Sequence, residues 1–147
     1  MRILLDTNIL VHAYNKASPN QKVASSIIGR AMAGEIEACI SQQVLFEFFA
    51  VITNAKRVES PMPPDIAAEL CVDLWDCDEI GKIAASESVP REVFSLVKSK
   101  RLSGSTVFDC ILAVSAKADK IDVIYTENVR DFNKFEFIKV QNPFVEL

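Results

Sequence analysis

Three acidic residues stand in stretches of sequence that are otherwise apolar. Asp6 follows the run ILL at 3–5, Glu47 lies within VLFEFFAVI, and Asp109 lies within STVFDCILAVSAKA. An unpaired buried carboxylate is costly, so each acid must be protonated, paired with a cation or bound to a metal ion. Carboxylates that crowd together raise one another's pKa values. Hard divalent cations relieve that repulsion, and ligand sets made only of oxygen favour magnesium or manganese over zinc or copper.

Each acid also has a purely structural interpretation. Asp6 could cap a helix that begins near Asn8, since Asp is a good N-cap. Glu47 could form a salt bridge to a Lys or Arg. Asp109 could be a favourable charge near a helix N-terminus, although the residues at i+3, i+4 and i+7 from it are all apolar. The acids taken singly do not decide between these interpretations and a shared site.

A fourth polar cluster, Thr126, Glu127, Asn128 and Asp131, follows the apolar run DVIY at 122–125. Asp6 and this cluster both come directly after predicted strands. Ligands of open α/β sheets bind at the carboxyl ends of the strands. The helices that carry the other two acids could pack beside that edge, so all four places converge on one predicted site.

Strand-like and helix-like segments alternate along the chain. We predict strands at 2–5, 36–40, 122–125, near 75–80 and, as an edge strand, at 136–140. Helical patterns cover 7–14, 20–33 with Gly34 as its stop, 41–57, 64–75, a segment between 80 and 90, 90–100 and 105–119. Strands separated by helices of this length indicate a mainly parallel sheet covered on both faces. The predicted fold is α/β, a three-layer α/β/α sandwich.

Length and composition limit the class of protein. At 147 residues and 16.3 kDa, we expect one domain spanning 1–147. The apolar runs are far below the roughly 18 residues that span a bilayer. Asp6 and Asn8 interrupt the only candidate signal core, so we expect a cytoplasmic protein without a membrane partner. The four cysteines lack paired spacing and only one histidine, His12, is present, which argues against a zinc site or a disulfide scaffold. We expect small buried thiols.

The chain is acidic, with a net charge of -4 and a pI near 5.0. This balance argues against broad attraction to nucleic acid and fits a site that collects carboxylates. It leaves room for local basic patches. Candidates are Lys98, Lys100 and Arg101 in KSKR, Lys56 with Arg57, and Arg130.

Several stretches carry a family resemblance. MRILLDTNILVHAY, the Glu within an apolar helix, FDCILAVSAKADKIDVIYTEN and the closing RDF resemble the PIN domain, above all the VapC-type toxin nucleases of toxin–antitoxin pairs. The motifs are short, but their joint order spans nearly the whole chain. The resemblance implies a metal-dependent endoribonuclease with a compact α/β/α fold, commonly a homodimer. It also implies RNA as substrate and a cognate antitoxin as partner of a type II system.

The resemblance assigns roles to particular residues. Asp6, Glu47 and Asp109 match the three core acids. Asp6 and Asp109 would be direct ligands of Mg²⁺ or Mn²⁺, and Glu47 would bind through water or accept the proton of the attacking water. Asn8 and Thr126 match positions that orient the acids through hydrogen bonds.

One position departs from the family pattern. The family often has a fourth acid two residues after the threonine that matches Thr126, and this chain has Asn128 there. The amide offers a neutral oxygen but no charge. Asp131 either compensates as a further metal ligand or holds the loop. We therefore expect one metal ion and leave a second open.

The resemblance also suggests where RNA would lie. Lys98, Lys100, Arg101 and Arg130 are candidate RNA contacts, although a run such as KSKR is typical of a solvated face. Phe46, Phe48 and Phe49 could stack on bases, but in so apolar a helix they more often form core or a dimer interface.

Two alternative functions stay open from the sequence. A PIN-like fold with a weakened fourth position could be inactive and act as a protein-binding module. A magnesium-dependent phosphoacceptor domain of the response-regulator type also has acids at strand ends. Such a domain normally has paired acids after its first strand, and this chain has the single Asp6 there.

Overall fold

The computed structural model describes residues 1–145. Its strands are β1 (Arg2–Leu5), β2 (Glu37–Ser41), β3 (Gly81–Ile83), β4 (Val123–Tyr125) and β5 (Lys139–Gln141). The helices in these residues are α1 (Thr7–Tyr14), α2 (Gln21–Met32), α3 (Gln42–Ile52), α4 (Pro64–Asp76), α5 (Val89–Lys100), α6 (Thr106–Ala118) and α7 (Val129–Phe132). All strands pair in parallel, in the order β3-β2-β1-β4-β5. The predicted parallel α/β sandwich is confirmed.

The central strand β1 is buried on both faces. Ile3, Leu4 and Leu5 are 4%, 0% and 0% exposed. Consecutive strand residues point to opposite faces of a sheet, so this unbroken burial requires helices on both sides. That arrangement is typical of parallel sheets, and it makes the sheet the middle of three layers.

The order of the strands creates a switch point beside β1. The chain moves from β1 outward to β2 and β3, and then returns to the other side of β1 to form β4 and β5. Leu5 is in register with Tyr125, and the backbone N–H of Asp6 donates to the Tyr125 carbonyl at 3.0 Å. The residues that follow β1 and β4 therefore meet at the carboxyl edge, where doubly wound sheets bind their ligands.

Helix α3 ends at Ile52, earlier than the predicted end near residue 57. The chain turns at Asn54, whose side-chain oxygen accepts from the N–H of Lys56 at 2.9 Å. The Asn54 carbonyl accepts from the N–H of Arg57 at 2.9 Å. Asn side chains bond nearby backbone in this way and compete with a helix.

The prediction for residues 75–90 is wrong in two places. Helix α4 continues to Asp76, and the strand lies at Gly81–Ile83 instead of near 75–80. The helix predicted between 80 and 90 is absent, since residues 84–88 are irregular before α5. The Ser86 hydroxyl accepts from the Ser88 N–H at 3.4 Å, a local bond that favours a turn.

The end of the chain also differs from the prediction. The edge strand is β5 at Lys139–Gln141 and not 136–140, because Phe135 and Ile138 are drawn into the core through a turn. Helix α7 was not predicted, and its four residues are too few for a visible periodicity.

Other sequence expectations have mixed outcomes. Cys39, Cys71 and Cys110 are buried free thiols as predicted, while Cys77 is partly buried. Phe48 is fully buried, but Phe46 is 72% exposed. Among residues 1–145, every helix is too short or too polar to cross a bilayer.

Candidate active site

Asp6 begins the site at the carboxyl end of β1. It is the N-cap of α1, and its Oδ1 accepts a hydrogen bond from the Thr7 N–H at 2.7 Å. The capping interpretation is therefore correct, but it occupies only one carboxylate oxygen. Burial raises the pKa of Asp6, and hydrogen bonds from Thr126 and Thr7 oppose that shift.

Thr126 connects the ends of β1 and β4. Its side chain is fully buried, and its Oγ1 donates to Asp6 Oδ2 at 2.7 Å. The same oxygen accepts from Asn8 Nδ2 at 3.1 Å and from the Asn128 N–H at 3.0 Å. Asn8 Nδ2 also lies 3.3 Å from Asp6 Oδ2, and Asn8 Oδ1 accepts from the Glu127 N–H at 3.0 Å. Within residues 1–145 no buried side-chain nitrogen or oxygen lacks a hydrogen-bond partner, and these bonds hold the Asp6 carboxylate in one orientation.

Glu47 reaches the same place from α3. Its Oε2 accepts from Thr7 Oγ1 at 2.9 Å, and its Oε1 accepts from Gln43 Nε2 at 2.9 Å. Gln43 lies one helical turn earlier, where side chains at four-residue spacing meet. Within residues 1–145, no Lys or Arg nitrogen lies within 4.0 Å of Glu47. The salt-bridge interpretation of Glu47 is wrong for this part of the chain.

Asp109 lies in the first turn of α6 and is partly buried. Burial, followed by the negative charge of Asp6, raises the pKa of Asp109 to about 6. The charges of Asp131 and Glu47 raise it further, and Lys134 opposes them. A helix N-terminus alone would favour the charged form and lower the pKa, so the helix dipole does not explain the raised pKa of Asp109. It lies in the field of the other acids.

The three acids line one open cleft of about 580 Å³. The other lining residues are Thr7, Asn8, Val11, His12, Asn15, Ala50, Val51, Arg57, Glu127 and Asn128. Glu127 adds a fourth carboxyl group, and Arg57 is the only Lys or Arg among these residues. The cleft is therefore strongly acidic.

Of the remaining predicted site residues, only one lines the cleft. Asn128 lines it, while Asp131 is exposed on α7 and is not among the lining residues. Lys98 and Lys100 end α5. Together with Arg101 and Arg130 they are exposed, and none of the four lines the cleft.

Several side chains of the site have contacts that the sequence did not predict. Thr7 and Gln43 orient Glu47, and the four-residue spacing from Gln43 to Glu47 was the available signal for one of them. His12 Nε2 lies 2.9 Å from Glu127 Oε2, and its Nδ1 lies 2.5 Å from Ser18 Oγ. Nothing in the sequence pairs His12 with Glu127, since 115 residues separate them.

The donors in the cleft suit a hard divalent cation. Apart from the His12 imidazole, they are carboxylate, amide and hydroxyl oxygens, and within residues 1–145 Asp6, Glu47 and Asp109 form no salt bridge. The same residues contain no group of three Asp, Glu, His or Cys side chains arranged closely enough to hold an ion. Magnesium commonly binds through one or two carboxylates and keeps several waters. The residues therefore fit a partly hydrated magnesium-like ion better than a metal that needs a closed cage of ligands.

A second groove, of about 640 Å³, lies between α3 and α4 and is mainly apolar. Phe46, Phe49, Val72 and Trp75 are among its lining residues. It shares no lining residue with the acidic cleft, so the three acids are not part of this groove.

Comparisons with known proteins agree with this geometry. The family model described as PIN domain matches residues 3–138. Ribonuclease VapC24 of Mycobacterium tuberculosis is 27% identical over 139 residues, which cover 95% of this chain and 94% of that protein.

Two solved structures share the fold. The crystal structure of M. tuberculosis VapC20, described as a toxin that cleaves the sarcin-ricin loop, has a TM-score of 0.68 at 14% identity and covers 95% of this chain and 99% of that one. A toxin-antitoxin complex from Klebsiella pneumoniae has a TM-score of 0.62 at 17% identity and covers 97% of this chain and 98% of that one.

Removing the Thr126 hydroxyl should loosen the site. Thr126→Val keeps the shape of the side chain but removes the oxygen that accepts from Asn8 Nδ2 and the Asn128 N–H and that donates to Asp6 Oδ2. Asn8 Nδ2 and Asp6 Oδ2 then keep only their mutual contact at 3.3 Å. We expect a loss of about 1–3 kcal/mol in the free energy of unfolding, measured by urea denaturation. Thr126→Ser keeps the hydroxyl and should lose less. Equal stability of Thr126→Val and the wild type would contradict this role.

The raised pKa of Asp109 predicts a pH-dependent cost in the metal-free protein. Because the folded pKa of about 6 lies above the ordinary value of 3.8 for an Asp carboxyl, the favourable contribution of this group is present at low pH and is lost as the pH rises through about 6. In EDTA, Asp109→Asn should therefore melt above the wild type at about pH 7.5, and the difference should shrink at about pH 4.5. A difference that grows at the lower pH would show that the sign is wrong.

Proposed function

Because this chain belongs to the PIN domain family, we propose that it is a metal-dependent endoribonuclease and the toxin of a type II toxin–antitoxin pair. The observation that carries the proposal is the cleft at the carboxyl edge of the sheet, which Asp6, Glu47 and Asp109 line together. A relative that is called a ribonuclease and matches nearly the whole chain supports the same activity.

The proposed cofactor is Mg²⁺ or Mn²⁺. Asp6 and Asp109 would hold the ion directly, and Glu47 would hold it through water. Asp6 Oδ1 accepts one hydrogen bond and so keeps a lone pair for a ligand. When bound, such an ion lowers the pKa of a water molecule and neutralises charge on the phosphate. A second ion would need Asp131, since Asn128 supplies no charge.

The side chains around the acids have defined tasks in this proposal. Glu47 would accept the proton of the attacking water, because each of its oxygens accepts one hydrogen bond and keeps a free lone pair. Thr7 and Gln43 fix the direction of that carboxylate. Thr126 and Asn8 do the same for Asp6. Precise orientation of this kind is what makes a general base effective.

The proposed RNA path runs outside the acids. Lys98, Lys100 and Arg101 at the end of α5 and Arg130 on α7 are exposed and could contact phosphates. The chain has a net charge of -4, so affinity for RNA must come from such local groups.

A cognate antitoxin is the proposed protein partner. The structural neighbour from K. pneumoniae is a toxin-antitoxin complex that covers nearly the whole of this chain. We expect the antitoxin to fill the acidic cleft, with an Arg as the natural partner of its carboxylates. A homodimer is proposed on the family likeness alone, and light scattering would show it as twice the 16.3 kDa mass of the chain.

An inactive protein-binding module is the second candidate. It is favoured by Asn128 and by the lack of three close ligand side chains within residues 1–145. The phosphoacceptor alternative has no support from the family match.

Metal-dependent cleavage of RNA tests the main proposal. The wild type should cleave end-labelled bacterial RNA with Mg²⁺ or Mn²⁺ and stop in EDTA. Asp6→Asn, Glu47→Gln and Asp109→Asn should each lower the rate by about 10²–10⁴-fold, because metal binding or proton transfer is lost. The fragments are separated on a denaturing gel.

Asp73→Asn is the matched control for these variants. Asp73 is an exposed carboxylate on α4 outside the cleft, so its change should leave cleavage intact. Folded wild-type protein with no metal-dependent cleavage would instead favour the binding module.

Expression in a bacterial host tests the toxin proposal. Induction of the wild type should arrest growth. Asp109→Asn should relieve the arrest because it removes one of the three acids proposed to act in catalysis. Co-expression of a small protein encoded beside this gene should relieve it as well. Viable cell counts after induction measure both effects. Unaffected growth on expression of the wild type would contradict the toxin proposal.

A further inference from the structure

Arg57 occupies an unusual position for a cation. It lines the cleft that also contains Asp6, Glu47, Asp109 and Glu127. Among the lining residues within 1–145 it is the only Lys or Arg. It forms no salt bridge with any carboxylate of that part of the chain. A cation that faces acids without pairing with them is available to an anion brought from outside.

The backbone keeps Arg57 in place. Its N–H and that of Val58 both donate to the Asn54 carbonyl, at 2.9 and 3.1 Å. Val58 is 4% exposed and fixes the far side of the turn in the core. The side chain is exposed, but it starts from an ordered turn. The conformational entropy lost when Arg57 binds a ligand is therefore smaller than for a residue in a flexible loop.

The neighbouring basic residues differ from Arg57. Lys56 precedes it, is exposed and does not line the cleft. His12 lines the cleft but lies within hydrogen-bond distance of Glu127 and Ser18. Arg57 is therefore the cleft cation without an internal partner in residues 1–145.

We propose that Arg57 binds a backbone phosphate of the RNA strand beside the phosphate that is cleaved; this rests on the proposed function. The acids repel a polyanion, and a metal ion would neutralise them only locally. A guanidinium on the same cleft supplies the missing attraction and can hold two phosphate oxygens at once. Arg57 lines the cleft together with Ala50 and Val51 as well as the acids, so the contact would form within the same cleft. The contact positions the substrate and takes no part in proton transfer.

The test measures binding and its salt dependence. Fluorescence anisotropy follows a labelled single-stranded RNA of mixed sequence on the full chain, with calcium in place of magnesium to slow cleavage. Arg57→Ala should bind about tenfold more weakly, the effect of one lost charge-assisted hydrogen bond. The slope of log K against log salt should fall in magnitude by about 0.7, the value for one phosphate contact on a single strand. Arg57→Lys should recover part of the affinity.

Lys56→Ala is the matched control, since it removes the same charge one residue away. Equal losses in affinity and slope for both variants would overturn the inference, because they would show a general charge effect. Unchanged binding by Arg57→Ala, alongside metal-dependent cleavage by the wild type, would overturn it while the proposed function stands. A wild type that neither binds nor cleaves RNA would overturn both. Thermal melts of each variant separate lost contact from lost folding.

Discussion

The carboxylates of Asp6, Glu47 and Asp109 repel one another, yet the fold keeps them at one edge of the sheet. The groups that hold Asp6 and Glu47 are neutral donors, namely hydroxyls, amides and backbone N–H groups. Neutral donors fix the direction of a carboxylate without cancelling its charge. A lysine in their place would have stabilised the acids and removed the reason for a cation to bind. Burial, followed by the negative charge of Asp6, raises the pKa of Asp109, so the repulsion among the acids is part of the cost of this arrangement.

The parallel sheet supplies the framework for this arrangement. Because β1 is central and β4 joins it on the side away from β2, the residues after both strands meet without a crossing connection above them. Helices α3 and α6 then bring one acid each from the flanking layers. The site is thus assembled from four separate parts of the chain, namely the segments that follow β1 and β4 and the helices α3 and α6. Such sites are common where rigid strands and helices position a reactive centre.

The sequence was informative wherever a residue broke a strong local pattern. Asp6, Glu47 and Asp109 stood out because their neighbours are apolar, and the alternation of strands and helices predicted the parallel sheet. The wrongly predicted elements lie where the local sequence pattern is weak or where tertiary packing decides where an element ends. The three residues of β3 carry no alternation that separates them from a loop, and α3 ends at Ile52 because the Asn54 turn packs Val58 into the core. The difference between Arg57 and Lys56 depends on the direction of that turn, which no periodicity reveals.

The link between Thr126 and Asp6 joins residues 120 positions apart, and this has a consequence for synthesis. Strands β1 and β2 can pair when fewer than 50 residues have been made, but β4 is translated only in the last fifth of the chain. A ribosome-bound nascent polypeptide consequently carries the N-terminal half of the centre without the hydroxyl that orients it. Contacts this distant in sequence also form slowly. Translation and late docking of β4 together delay the appearance of a complete centre until residues 123–126 have been made and have paired with β1.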